Sequence, residues 1–331
     1  RKLQTMTLFS PLLLVVISLS SLPNIFSKEV EHNPSSVHIN AFPLTDEHKW
    51  TVPCSNQYSM DEVQTPGCTP KLGGKCDRVL VDEFINENKI STLLSIAEKG
   101  MSMADSKGQK KSILGPTIMD VNSGWVLSAG SYQPQSIYRN GPLFTEKEYD
   151  VYRKVSDKLK AHVEHVFGLD SLYFTAPTFI TREAADIDNT WTPTTMHDEY
   201  WHPHVDKNNT AHYDYSGLVY LSTAGDDFEG GDLHFYSHHS LDCSPFMDET
   251  NPGPCIVKDS PIVSIEPRAG RAIVFGSGYE NAHRVTRVTG GTRYVLSFWF
   301  TCDSRREMKS FLDGKMHVSF DAKAHTAHTD L

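Results

Sequence analysis

The segment HDEYWHPHVDK, residues 197–207, gathers three histidines and three carboxylates around a tyrosine and a tryptophan. Within it one residue separates His204 from Asp206, so on an extended strand both side chains point to one face and can ligate a single metal ion. His202 lies on the same face and competes for that role. His197, Asp198 and Glu199 are expected to shape an entrance as hydrogen-bonding or surface groups. A lone His-x-Asp arises easily in a chain with 16 histidines, so the pair needs a third ligand and a partner for whatever the metal binds.

Both occur in SGYENAHRVTRVTGGTRY, residues 277–294. His283 opens one apolar run, Gly290-Gly291 reads as a two-residue turn, and Arg293 falls on the expected returning strand, folded back toward His283. Two imidazoles and one carboxylate on one face of a ferrous ion leave three positions open, as in non-haem iron oxygenases. The planar guanidinium of Arg293 suits the distal carboxylate of a chelating co-substrate. An interstrand salt bridge is its plainer use. Tyr220, in GLVYLS, can direct its phenol at the same carboxylate, although an aromatic in a strand is more often core. Two other readings compete. The same ligands could hold zinc and a hydroxide for hydrolysis, which leaves Arg293 and Tyr220 without purpose, or the fold could be a non-catalytic binding module.

These residues need a sheet to hold them. RVLVDEF (78–84) reads as a strand, and Asn86 caps a helix whose apolar Ile90, Leu93, Leu94 and Ala97 form one stripe before Gly100 ends it. Thr145 and Glu148 make a capping box for a second helix, which runs to Gly168 and turns its stripe toward a sheet. From Ser171 onward, SLYFTAPTFI, DYSGLVYLS, DLHFYS, SPIVSIEP, RAIVFG and TRYVLSFWFT are short β-branched and aromatic runs separated by Gly, Pro, Asn and Asp. In DFEGGDLHFY the Gly-Gly permits a tight turn, and Leu233 and Phe235 look structural. The expected fold class is α+β, mainly β: a double-stranded β-helix, or jelly roll, buttressed by α-helices.

The chain has 331 residues and a formal net charge of -10, so no excess of Lys and Arg is available to replace counterions and nucleic acid is not the expected partner. Met6 to Phe26 is uncharged and about as long as a spanning helix, and it reads as a signal anchor or signal peptide. Either reading carries the rest of the chain across a membrane. Six cysteines fit an oxidising compartment. A Cys243–Cys255 disulfide is expected around the Pro-rich insert, which leaves three pairings open for Cys54, Cys68, Cys76 and Cys302. No Cys-x-x-Cys pair supports a zinc cluster. Asn208-Asn209-Thr210 is a glycosylation sequon at Asn208. The expected organisation is residues 1–28 as anchor or signal, 29–76 as polar stalk and Cys-rich cap, 77–303 as the catalytic domain with its core at about 175–303, and 304–331 as a tail.

HVDK with its following YLS, FEGGDLHF, EPRAGRAIVF, and ENAHRV followed by GTRY together resemble the prolyl 4-hydroxylase branch of the 2-oxoglutarate and iron(II)-dependent dioxygenases. The likeness runs from about Val52 to Cys302, although the insert from His238 to Pro261 is longer than the family pattern. It implies Fe(II) held by His204, Asp206 and His283, with 2-oxoglutarate and O2 as co-substrates and ascorbate as a supporting reductant. Arg293 matches the basic residue that binds 2-oxoglutarate, where many relatives carry lysine, and Tyr220 matches a co-substrate tyrosine of some relatives. The implied reaction hydroxylates a peptidyl C–H bond, with prolyl as one candidate, and releases succinate and CO2. The implied substrate is a peptide or protein. The likeness also favours a retained single-pass anchor, with the catalytic domain on the lumenal side of the endoplasmic reticulum or secretory pathway.

Overall fold

The computed structural model describes residues 36–54, 76–105, 115–128, 134–175, 178–186, 200–237, 240–242, 247–248, 251–252 and 256–308. The expected anchor at Met6 to Phe26, Cys68, the entrance group His197 to Glu199, and the Cys243–Cys255 pair lie outside them. Among the described residues no helix is long and apolar enough to cross a membrane.

In chain order the strands and helices that build the site are β1 (Val37–Ile39), β2 (His48–Trp50), β3 (Arg78–Val81), α1 (Glu87–Asp105), β4 (Gly115–Asp120), β5 (Trp125–Leu127), β6 (Gln135–Ser136), α2 (Glu146–Phe167), β7 (Tyr173–Phe174) and β8 (Phe179–Ala184). After them come α3 (Asp206–Asn209), β9 (Tyr215–Tyr220), β10 (Phe228–Gly230), β11 (Leu233–Phe235), β12 (Val263–Ile265), β13 (Ala272–Gly276), β14 (His283–Val285) and β15 (Val288–Thr301). The larger sheet has the order β2-β3-β13-β9-β15-β8-β4-β5-β6, with β10 and β7 also paired to β15. The smaller sheet has the order β1-β12-β11-β14. Two sheets with helices against one of them are the jelly roll expected from the strand-rich second half.

Between the sheets lies a cluster of Leu80, Tyr220, Leu233, Phe235, Val263, Ile265, Ile273, Phe275 and Val295. Leu233 and Phe235 are fully buried there, as their alternation implied. The other face of the larger sheet packs against α1 and α2 in a second cluster. For α2 the reading is local and holds throughout. Thr145 and Glu148 complete the capping box, Gly168 closes the helix in the left-handed conformation, and Tyr149, Tyr152, Val155, Leu159 and Val163 are buried. A Cβ at Gly217 on β9 would come 3.0 Å from Leu159 Cδ2, so that glycine lets the helix sit close on the sheet.

Four expectations need correction. Helix α1 does not stop at Gly100 but continues to Asp105. A Cβ at Gly100 would lie 2.0 Å from Met119 Sδ, so this glycine serves close packing against β4 rather than termination.

Gly290-Gly291 is not a hairpin turn. Both residues lie inside β15 and pair with Glu229 and Phe228, because a Cβ at Gly291 (φ +67°) would meet the Asp227 carbonyl at 2.1 Å. His283 and Arg293 therefore stand on different sheets and face each other across the interior.

Asp206 is not on a strand. Val205 is extended and caps the short helix α3, whose first residue is Asp206.

Residues before 77 are not merely stalk and cap, since β1 and β2 extend both sheets. Arg271 locks this segment down by pairing with Asp82 at 2.6 Å and donating to the carbonyls of Asn40 and Phe42. Cys54 and Cys76 form a disulfide that fixes its far end.

Candidate metal centre

His204 and His283 are joined through their backbones. Each N–H donates to the other's carbonyl, at 2.8 and 2.9 Å, in an isolated antiparallel bridge. This places the ring centroids 4.4 Å apart. Val205 then turns the chain so that Asp206 points back toward the same spot. His204 Nε2 lies 3.7 Å from Asp206 Oδ1, and His283 Nε2 lies 4.0 Å from Oδ2. One ligand atom from each of the three residues falls within 4.8 Å of the others. That span accommodates one ion at ordinary metal–ligand distances of about 2.0–2.2 Å.

The protonation pattern suits a metal. His204 Nδ1 is 3.0 Å from the His202 carbonyl, and His283 Nδ1 is 2.9 Å from the Asn281 carbonyl. A carbonyl only accepts, so both rings carry their proton on Nδ1 and offer the Nε2 lone pair inward. Burial, together with the neighbouring His283, pulls His204 down to about 4, so its imidazole is neutral at physiological pH. Asp206 is held by Ser216, whose hydroxyl donates to Oδ2 at 2.5 Å and itself lies 2.7 Å from Ser277 Oγ. His202, the competing ligand, contributes its carbonyl rather than its ring.

Arg293 lies on β15 and is 1% exposed. Of its two expected uses, the salt bridge is the one observed. Nη1 donates to Glu183 Oε2 at 2.6 Å across the β8–β15 pair, which is the interstrand salt bridge. Nε has no hydrogen-bond partner among the described residues, and neither does the hydroxyl of Tyr220, whose ring lies 5.4 Å from the guanidinium carbon. Burial pushes the Tyr220 phenol up to about 12, so it stays a neutral donor. A buried Nε–H and a buried phenol left unpaired side by side are costly unless an acceptor joins them. A carboxylate fits both. Gly231 makes room for this arginine, since a Cβ there would come 2.8 Å from Arg293 Cδ.

The two halves of the site share a wall. The His283 ring packs on Phe235 and Phe275, at 5.7 and 5.2 Å between centroids, and both phenylalanines belong to the same buried cluster as Tyr220. Three supports had no readable signal in the sequence: Ser216 under Asp206, Asn281 behind His283, and Glu183 beside Arg293. Asn208 is exposed on α3, two residues past Asp206. Cys302 is disulfide-bonded, as the even cysteine count implied.

Comparison with known proteins bears on the same residues. The 2OG-Fe(II) oxygenase superfamily matches residues 192–301, which include His204, Asp206, His283 and Arg293. The human 2-oxoglutarate and iron-dependent oxygenase domain-containing protein 3 is 35% identical over 76% of this chain and 69% of its own length. Human prolyl 3-hydroxylase 2 is 30% identical over 68% of this chain and 30% of its own. Among solved structures, a 2OG-Fe(II) oxygenase from Burkholderia pseudomallei aligns with a TM-score of 0.43 at 13% identity, covering 82% of this chain and 98% of that one.

Proposed function

Since the chain belongs to the 2-oxoglutarate and iron(II)-dependent oxygenases, we propose that this dioxygenase hydroxylates a peptidyl side chain, prolyl being the first candidate, in the lumen of the secretory pathway. The observation that carries the chemistry is the convergence of His204, Asp206 and His283, with a buried, half-satisfied Arg293 in the facing sheet. Iron(II), when bound, supplies the oxidative decarboxylation of 2-oxoglutarate to succinate and CO2 and the oxidation of an unactivated C–H bond.

The chain's own residues bind, orient and exclude water. His204 and His283 present neutral Nε2 atoms because two backbone carbonyls hold their Nδ1 protons. Ser216 fixes Asp206 through Oδ2 and leaves Oδ1 directed at the ligand cluster. Arg293 and Tyr220 donate to the distal carboxylate and so set the angle at which the co-substrate enters. Phe235 and Phe275 keep the His283 side dry. Ascorbate would serve as the reductant that restores iron(II) after uncoupled turnover.

Prolyl 3-hydroxylase 2 among the relatives supports a peptide substrate. The Cys54–Cys76 disulfide, an exposed Asn208 sequon and the uncharged Met6 to Phe26 segment support a lumenal domain, glycosylated at Asn208 and carried on a single-pass anchor. The test is succinate formation from 2-oxoglutarate by the purified chain over a library of proline-containing peptides, with mass spectrometry of the peptides. Stimulation by one peptide class with a +oxygen product supports the proposal. Stimulation by small molecules alone overturns the peptidyl part of it.

A further inference from the structure

Glu183 and Arg293 are register partners on β8 and β15, 4% and 1% exposed, and the carboxylate already occupies one Nη of the guanidinium. A co-substrate arriving with a distal carboxylate would place a second negative group on the same buried cation. Among the described residues, Arg287 and Arg271 act on Tyr200 and Tyr220 through space, but no hydrogen bond or ion pair joins either cation to Glu183 or Arg293. Tyr200, just ahead of the ligand segment, accepts from the Val288 N–H and is pushed by burial to about 12; Tyr220 from β9 is likewise a neutral phenol. Asp232, from the turn between β10 and β11, is a further carboxylate whose field reaches Arg293. Arg271 is consumed by Asp82, and Arg287 lies over the Trp201 ring, 4.4 Å from its centroid. The neighbour of Glu183 on β4 is Pro116, which has no charge.

Two carboxylates sharing one low-dielectric site cannot both stay ionised cheaply, and one of them takes a proton. We infer that Glu183 is the proton acceptor of the co-substrate site: seating a 2-oxo dicarboxylate on Arg293 draws one proton from solvent onto the Glu183 carboxylate. The inference rests on the reading of Arg293 as the distal-carboxylate partner. Once neutral, Glu183 still accepts from Nη1 through its carbonyl oxygen, and its hydroxyl can donate to the incoming carboxylate. Burial already pushes the Glu183 carboxyl upward against the opposing pull of Arg293, so the proton lands there with little further rearrangement. The site thereby separates diacids from 2-oxo monoacids by a proton as well as by a salt bridge.

The experiment is titration calorimetry of the Mn(II)-loaded full chain with 2-oxoglutarate, at pH 7 to 8.5, in buffer pairs of different ionisation enthalpy. 2-Oxobutyrate, which lacks the distal carboxylate, is the control. The inference predicts a buffer-dependent heat approaching about one proton taken up per 2-oxoglutarate at the upper pH, and affinity falling by up to about tenfold per pH unit there. It predicts neither effect for 2-oxobutyrate, nor for 2-oxoglutarate binding to Glu183→Gln. Binding that depends on Arg293 but shows no proton uptake, or uptake that persists in Glu183→Gln, overturns the inference and leaves the co-substrate reading standing. Equal 2-oxoglutarate affinity in wild type and Arg293→Ala overturns the co-substrate reading itself.

Discussion

The Ser216 hydroxyl lies 2.5 Å from Asp206 Oδ2 and 2.7 Å from Ser277 Oγ, so the Asp206 carboxylate is held by a two-serine relay from β9 to the residue after β13. Such partners orient a ligand without touching the metal. Ser216→Ala should weaken Fe(II) or Mn(II) binding by about 10- to 100-fold. The change in unfolding free energy should be small by comparison, because only one hydroxyl is lost. Equilibrium metal titration alongside urea unfolding checks both halves of this statement.

Behind His283 the support reaches back to the disulfide. Asn281 accepts from Arg78 Nε at 2.6 Å and donates to the carbonyls of Cys76 and Gly276 at 3.1 and 2.8 Å, while its own carbonyl holds His283 Nδ1. Arg78 is 2% exposed, and burial lowers it to about 10. Asn281→Ala removes one bond to this guanidinium, whose Nη2 still donates to the Glu280 carbonyl at 3.0 Å, and should cost about 1.5–3 kcal/mol, the range for a hydrogen bond to a charged group. Differential scanning calorimetry would read the drop in Tm. An unchanged Tm would mean that the network carries no stability.

Replacing Cys54 and Cys76 by serine opens a crosslink with a sequence separation of 22. Loop entropy sets the expected loss at about 3 kcal/mol. Because Cys76 is the carbonyl that Asn281 grips, the variant should also bind metal more weakly than its stability loss alone explains. Metal titration well below the unfolding temperature separates the two effects.

Gly291→Ala tests the correction to the expected hairpin. The residue has φ +67°, and an added Cβ would meet backbone at 2.1 Å, so β10 must part from β15. The predicted cost exceeds about 1 kcal/mol, with a rise in KM for 2-oxoglutarate because Arg293 is two residues away. A free turn at Gly290-Gly291 would have tolerated alanine far better at these contacts.

Burial, reinforced by Glu266, lifts the Asp232 carboxyl from 3.8 to about 6. The folded state therefore holds this proton more tightly than the unfolded chain. The resulting stability is fully present below about pH 4 and is lost as pH rises through 6. The Asp232 side chain keeps 26% of its surface exposed, so after solvent screening the effect is about 1 kcal/mol. Asp232→Asn should be more stable than wild type by that amount at pH 8 and equal to it near pH 4. Urea unfolding at the two pH values decides this, and equal stability at both would refute it.

What could be read from the sequence was local. The capping box at Thr145 and Glu148, the Gly168 stop, and the alternation of Leu233 and Phe235 depend on neighbours within a turn or a strand, and all three stand in the fold. His204, Asp206, His283 and Arg293 were legible by residue type and by motif likeness. Their support was not. Glu183 lies 110 residues from Arg293, and Asn281 lies 205 from Cys76, distances that no periodicity spans. Gly100 and Gly291 read as breaks because a glycine that ends an element and one that admits a neighbour look alike until the neighbour is known. The segment 36–54 looked peripheral because its anchor, the Arg271–Asp82 pair, lies elsewhere in the chain.

The central claim is that three residues from two distant segments make one metal site. Anaerobic equilibrium titration of the full chain with Fe(II), followed by the charge-transfer absorption that develops on adding 2-oxoglutarate, tests it most directly. A single equivalent bound by wild type is expected, with loss of both binding and absorption in Asp206→Ala and His283→Ala proteins that keep a cooperative unfolding transition. Retention of one tightly bound equivalent with unchanged absorption in either variant would contradict it.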